Sequence, residues 1–250
     1  MEDLGPQFLK VLQIIWINII LSGDNAVVIA LACRGLPPNR QRMGMVLGAG
    51  VAVALRIVFT VAIVYLLATP FLKIAGSLLL FWIAVKLLVE DEADAEGKIA
   101  ETDRLWHAVR TIAIADVVMS FDNVIAVVAA AKGSWLLIIF GIGISVPLII
   151  FGATLVMWLF ERFPIFVWIG AALLGWIAGE MMVDDRMILQ WLAGNAALVT
   201  TVPVTFENPV GLKPSGLLHY SAATLGVIVV VGLGFLLKRR NERAHHVAQV

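Results

Sequence analysis

Apolar segments long enough to cross a lipid bilayer recur from one end of the chain to the other, and no other feature constrains the fold as tightly. A bilayer core of about 30 Å takes roughly 20 apolar residues of helix. Seven stretches qualify: about 8–33, 43–67, 70–89, 105–131, 134–160, 164–183 and 217–237. Charged residues make up 14% of the 250 and hydrophobic residues 61%, with a mean hydropathy of +0.96. A soluble domain carries about 25% charged residues, so the composition selects an all-α polytopic membrane protein of about seven transmembrane helices. Helices satisfy their own backbone within lipid, which irregular chain cannot do.

The loops set orientation. Arg34, Arg40, Arg42, Lys98, Arg104, Arg110, Arg162, Lys238, Arg239, Arg240 and Arg243 fall on one side of these spans, against Lys10, Lys73, Lys132, Arg186 and Lys213 on the other. The side richer in Lys and Arg faces the cytoplasm. That places the N-terminus outside, the C-terminus inside, the acidic loop 90–104 in the cytoplasm and residues 184–216 outside. The first apolar run is too long for a signal-peptide core and reads as a retained span. Residues 184–216 carry turn signals at Gly194-Asn195, Asn208-Pro209 and Lys213-Pro214. A short interfacial or re-entrant piece is expected around 188–206. Asp184 and Asp185 read as ordinary loop charges, and His107 as a lone histidine near a span end. The balance of 18 basic and 18 acidic residues offers nothing to a nucleic acid. The single cysteine, Cys33, excludes an internal disulfide and a Cys-rich metal site.

The chain repeats itself. Ser22, Asp24 and Asn25 match Ser120, Asp122 and Asn123 at an offset of 98. Gly48, Gly50 and Leu55 match Gly141, Gly143 and Leu148 at an offset of 93, and Gly76, Trp82 and Ile83 match Gly170, Trp176 and Ile177 at 94. Lys86 and Glu180 then occupy equivalent places. Repeat 1 covers about 8–89 and repeat 2 about 105–183, followed by a final helix at 217–237. Three spans per copy is an odd number, so the copies insert with opposite orientation. Inverted repeats of this kind are common in secondary transporters, with the substrate site at their interface.

The apolar spans carry Asp24, Asp116, Asp122, Arg56, Lys86 and Glu180 among their residues. Each Asp, Lys or Arg at a helix centre costs about 2.5–3.5 kcal/mol on insertion scales, so such groups face the bundle interior or an aqueous cavity. Asp24-Asn25 and Asp122-Asn123 offer carboxylate and amide oxygens, with Ser22 and Ser120 as neighbouring hydroxyls. Hard oxygens with two negative charges suit a divalent cation of the Mg2+, Ca2+ or Mn2+ type. Adjacent Asp and Asn on an intact helix point about 100° apart, so both reach one ion only if the helix opens locally. Gly23 makes opening easy in the first copy; Phe121 stands there in the second. Asp116, seven residues before Asn123, and Glu180 extend the candidate cation path, and Arg56 and Lys86 read as counter-ions. Opposed orientations separate Asp24 from Asp122 by roughly 12 Å along the membrane normal, so one shared site and two successive half-sites both stay open.

LSGDNAVVIALACRGLPP and ADVVMSFDNVIAVVAAAKG resemble the paired motifs of the TerC family, over about residues 8–237. That family is grouped with LysE-type exporters built from three-helix repeats. The resemblance implies a bacterial plasma-membrane protein that exports a divalent cation, manganese foremost, with proton exchange as one means of coupling. The family's motif residues fall on Asp24, Asn25, Asp122 and Asn123. The ion is cargo, so no bound cofactor is expected, and the partners are the divalent cation and the bilayer. An enzyme is not expected, because no span holds a Ser-His arrangement. The alternative is a membrane accessory or scaffold of a secretion or stress-response complex, in which the polar residues only join helices.

Overall fold

The computed structural model describes residue 16 and residues 23–89, 101–131, 135–205 and 208–248. Most of the acidic loop, Ser22 and the greater part of the first apolar run lie outside the described residues. The first described helix, α1, covers Gly23–Cys33. It is followed by α2 (Pro38–Ala68), α3 (Leu72–Val89), α4 (Glu101–Ala131), α5 (Trp135–Arg162), α6 (Ile165–Val183), α7 (Arg186–Leu192) and α8 (Gly216–Ala248). Two short strands, β1 (Val199–Thr201) and β2 (Leu212–Pro214), stand between α7 and α8.

Prolines and glycines punctuate the bundle where the apolar runs break. Pro38 opens α2 as the first helical residue, a position where its missing N–H is not needed. The Pro37 carbonyl accepts the Arg40 and Gln41 amides. Pro164 occupies the N-cap of α6, while Phe163 packs on Phe166 across the turn, with ring centroids 6.0 Å apart. Ser215 caps α8 by accepting the Leu218 amide at 3.3 Å.

Five of the described helices are long and apolar enough to cross a membrane: spans within α2, α3, α5, α6 and α8. Their outward side chains are large and apolar, among them Phe151, Leu155, Leu233 and Phe235. A surface of that kind is stable against lipid and not against water. Inside, Leu80, Ile83, Leu174, Ile112 and Ile149 are fully buried. The α6 span is 44% buried and the α8 span 22%, so α6 is a central helix and α8 a peripheral one.

Small residues bring the helices together, as is usual where lipid removes the hydrophobic drive between spans. A Cβ on Gly175 would lie 2.7 Å from the Gly226 carbonyl oxygen, and one on Gly179 would run into the Ala222 carbonyl. Backbone therefore meets backbone between α6 and α8. Gly48 of α2 sits on Ile112 of α4, and Gly76 of α3 meets Val118 of α4. Gly152 of α5 faces Ala26 of α1, and Gly170 of α6 faces Val27 and Leu31 of α1.

Between α6 and α8 the described residues form α7 and a two-stranded sheet. Within an otherwise helical fold, β1 and β2 pair antiparallel with Val199 opposite Pro214 and Thr201 opposite Leu212. Asn208 holds the connection, donating from Nδ2 to the Leu212 carbonyl at 2.9 Å and accepting the Gly211 amide at Oδ1. Gly211 has φ +67, a conformation that costs glycine little. The reading of Asp185 as an ordinary loop charge is also corrected: Asp185 is buried and binds two helices at once. Its Oδ1 accepts the Met187 amide at 2.9 Å and caps α7, while its Oδ2 accepts the Lys73 and Ile74 amides of the first turn of α3 at 3.2 and 3.3 Å. Helix starts expose unpaired N–H groups, and one carboxylate satisfies two such starts.

Candidate functional site

Asp116 is the central residue of the 31-residue helix α4, and Ser120 follows it one turn later on the same face. Arg56 reaches them from α2. Its Nη2 lies 3.0 Å from Asp116 Oδ1, and its Nε donates to Ser120 Oγ at 3.3 Å. Ser120 in turn donates to Asp116 Oδ2 at 2.6 Å. The three side chains close a ring in which each oxygen of the carboxylate has its own donor. All three are buried, with Arg56 3% and Asp116 4% exposed. One turn beyond Arg56, Thr60 returns its hydroxyl to the Arg56 carbonyl at 2.7 Å. A buried ion pair survives only where such extra hydrogen bonds satisfy the remaining groups.

Asp24 comes from α1 to the same region. It lies within Coulombic range of both Arg56 and Asp116, and its Oδ1 accepts the amide of Asn25 at 2.7 Å. Asn25 and Asn123 are both buried, at 3% and 4% exposure. Asn123 stands seven residues beyond Asp116, two turns along the same helix face. Helices α2 and α4 thus bring a neutralised Arg–Asp pair into the bundle, and α1 and α4 each carry a buried carboxamide, Asn25 and Asn123. The Asp122 side chain and Ser22 lie outside the described residues.

The other intramembrane charges do not join this group. Glu180 of α6 accepts from Trp176 Nε1 at 2.6 Å, and His219 Nε2 of α8 lies 2.9 Å from its Oε1. Lys86 sits in the last turn of α3, with Nζ 2.8 Å from His107 Nε2 and 5.0 Å from the Trp82 ring centre. His107 is therefore not the lone residue that its place in the sequence suggests. The pairing of Trp176 with Glu180 is an i, i+4 spacing that the sequence displays. The contact of Glu180 with His219 joins distant segments and leaves no local signal.

A cavity of about 800 Å³ opens at the end of the bundle where α3 and α8 begin and α6 ends. Lys73, Asp184, Asn208, Lys213 and His219 line it, and Ile125 of α4 forms part of its wall. Ile125 is two residues from Asn123. Solvent at this mouth thus approaches within one helical turn of the second Asp-Asn motif. Among the described residues, no group of three His, Cys, Asp or Glu side chains is placed to hold a metal. A hard cation near Asp24 would depend on the carboxylate together with amide oxygens.

Comparison with known proteins agrees with this architecture. Residues 4–242 match the integral membrane protein TerC family. The uncharacterized membrane protein YjbE of Bacillus subtilis is 41% identical over 196 residues, covering 78% of this chain and 89% of YjbE. Two other uncharacterized membrane proteins of the same organism are more distant. YceF is 28% identical over 130 residues, covering 49% of this chain and 51% of its own, and YkoY is 23% identical over 188 residues, covering 68% and 58%. No solved structure matches the chain. A match over nearly the whole sequence, carried on a multi-pass helical bundle, makes this chain a member of the TerC family of integral membrane proteins.

Proposed function

We propose that the chain is a secondary transporter that exports divalent cations, manganese foremost, from the cytoplasm of a bacterial cell. The observation that carries this reading is the position of Asp24. Its carboxylate accepts the backbone amide of Asn25, in a motif whose counterpart in the second half includes the buried Asn123. A structural carboxylate in lipid is expected to be fully paired, because an unpaired charge there is expensive. Among the described residues the hydrogen bond to the Asp24 carboxylate comes from a backbone amide, and in this reading the carboxylate takes a mobile cation. In this reading Asp116 holds Arg56, and Asp24, Asn25, Asp122 and Asn123 hold the ion.

Seven spans in two inverted halves, N-terminus outside, complete the proposal. The glycine contacts support it. Helices α2 and α3 of the first half rest on α4, the first helix of the second half. Helices α5 and α6 rest on α1, the first helix of the first half. Two copies related by a two-fold axis in the membrane plane would exchange contacts in this way. Rocking one half against the other would open the central site to each side in turn, and the cavity beside Ile125 is the outer mouth.

The test is manganese tolerance in a manganese-sensitive host. Expression of the wild-type chain raises the manganese concentration that the host survives. Asp24→Asn and Asp122→Asn, at equal protein level in the membrane, do not. Tolerance that persists in both variants refutes the binding role.

A further inference from the structure

We propose that the Glu180–His219 pair is a proton-binding site at the outer mouth of the bundle, where a bound proton cancels a charge that holds the leaving cation. The inference rests on the transport reading above and concerns the exit of the path, not the Asp-Asn motifs. Glu180 of α6 accepts from Trp176 Nε1 at 2.6 Å, and His219 Nε2 of α8 lies 2.9 Å from the same carboxylate oxygen. An ionised carboxylate only accepts, so the hydrogen of the second contact sits on Nε2. Nδ1 is left to take a further proton from solvent, giving an imidazolium beside the carboxylate. That step carries the pair from one negative charge to none.

The surroundings distinguish this pair from a contact that merely joins helices. Helices α6 and α8 already meet backbone to backbone, at Gly179 against Ala222 and at Gly175 against Gly226. The pair is also open to water: the His219 and Glu180 side chains are 31% and 27% exposed, and His219 lines the cavity of about 800 Å³. The Arg56–Asp116 pair, by contrast, is buried and built on an arginine, which stays charged. Histidine is the side-chain type whose charge ordinarily changes between pH 5 and 8. Lys73 of α3, Asp184 and Asp185 before α7, Arg186 of α7, Lys213 of β2 and Tyr220 of α8 face the same cavity as His219. Asp185 is committed to the starts of α3 and α7. A divalent ion leaving through this mouth therefore meets charges of both signs, and Glu180 adds an attraction that a proton on His219 removes.

The experiment uses the full chain in proteoliposomes, with Mn2+ as the probe and the same pH on both sides. In the wild type the half-saturating Mn2+ concentration should rise about fivefold from about pH 8 to about pH 5.5, the effect of one charge on a divalent ion across a wet cavity. Glutamine at position 219 still donates to Glu180 but takes no proton, and it leaves the other charges of the cavity in place. His219→Gln should therefore keep the tighter, high-pH half-saturation at both ends of the range. His219→Lys sets a permanent charge against Glu180 and should show the weaker, low-pH value at both ends. A His219→Gln variant with the wild-type pH profile overturns the inference, and so does a His219→Lys variant that matches the wild type at high pH. A second measurement does not depend on transport. A charge-assisted hydrogen bond is about twice as strong as a neutral one. Glu180→Gln should thus lower the thermal midpoint about twice as far at the low-pH end as at the high-pH end, and equally at both in the His219→Gln background. Equal drops in the wild-type background overturn the proton site whatever the vesicles show. Wild-type protein that moves no Mn2+, yet gives the pH-dependent drop, ends the transport reading while the proton site stands.

Discussion

Removing the Asp185 carboxylate should loosen two helices that are far apart in sequence. Asp185 accepts one amide from α7 and two from the start of α3, and is only 2% exposed. Losing an N-cap costs about 1 kcal/mol. Each of the two α3 amides left without a partner costs about 1 kcal/mol at the lower end of the usual range. Asp185→Ala should therefore destabilise the protein by about 3 kcal/mol, or roughly 6–12 °C in thermal midpoint for a chain of this size. Asp185→Asn keeps one oxygen, which suffices for one helix start only, and should fall between wild type and alanine at about 2 kcal/mol. Thermal unfolding of detergent-purified protein gives the order, and amide hydrogen exchange gives the place. Exchange should rise together in α7 and in the first turn of α3, with the middle of α4 unchanged. An alanine variant within about 1 °C of wild type, or faster exchange in α7 alone, would refute the double cap.

Two further outcomes follow from packing and charge. Asp116→Asn alone leaves Arg56 buried without its counter-ion and should destabilise by about 3–5 kcal/mol, whereas the double change with Arg56→Gln should recover most of that loss; thermal midpoints of the single and double variants measure both. Gly179→Ala presses a methyl group into the Ala222 carbonyl of α8 and should cost about 1–3 kcal/mol, read as a lower thermal midpoint, while the same change at Gly50, where a Cβ meets nothing within 4 Å, should cost much less.

The apolar runs placed most helices closely, because breaks in hydropathy coincide with Pro and Gly. The run expected at 164–183 is α6 at Ile165–Val183, and that at 70–89 is α3 at Leu72–Val89. Helix ends that continue beyond lipid were harder to see. Helix α8 runs to Ala248, well past the apolar limit at 237, because Lys238, Arg239, Arg240 and the residues after them form helix readily in water. Helix α2 begins at Pro38 and not at 43, because its first turn is polar. The segment between α6 and α8 announced its turns but not the pairing of β1 with β2, whose partners stand eleven to fifteen residues apart. At the site, an arginine within an apolar helix requires an acidic partner, and the sequence limits the choice to a few residues. That Asp116 takes it is decided by the packing of α2 on α4. Asp185 gave no local sign of its bonds to α3, since those partners stand more than one hundred residues away.

Purified protein reconstituted into liposomes and given an outwardly or inwardly directed gradient of Mn2+, Ca2+ or Mg2+ puts the question of function most directly. The wild-type protein should pass Mn2+ at a saturable rate well above that of empty liposomes, and Asp24→Asn should bring that rate down to the empty-liposome level while the protein remains folded. Equal rates for wild-type protein, Asp24→Asn and protein-free vesicles, for every ion in the panel, would mean that the mid-bundle carboxylate binds helices together and carries nothing across.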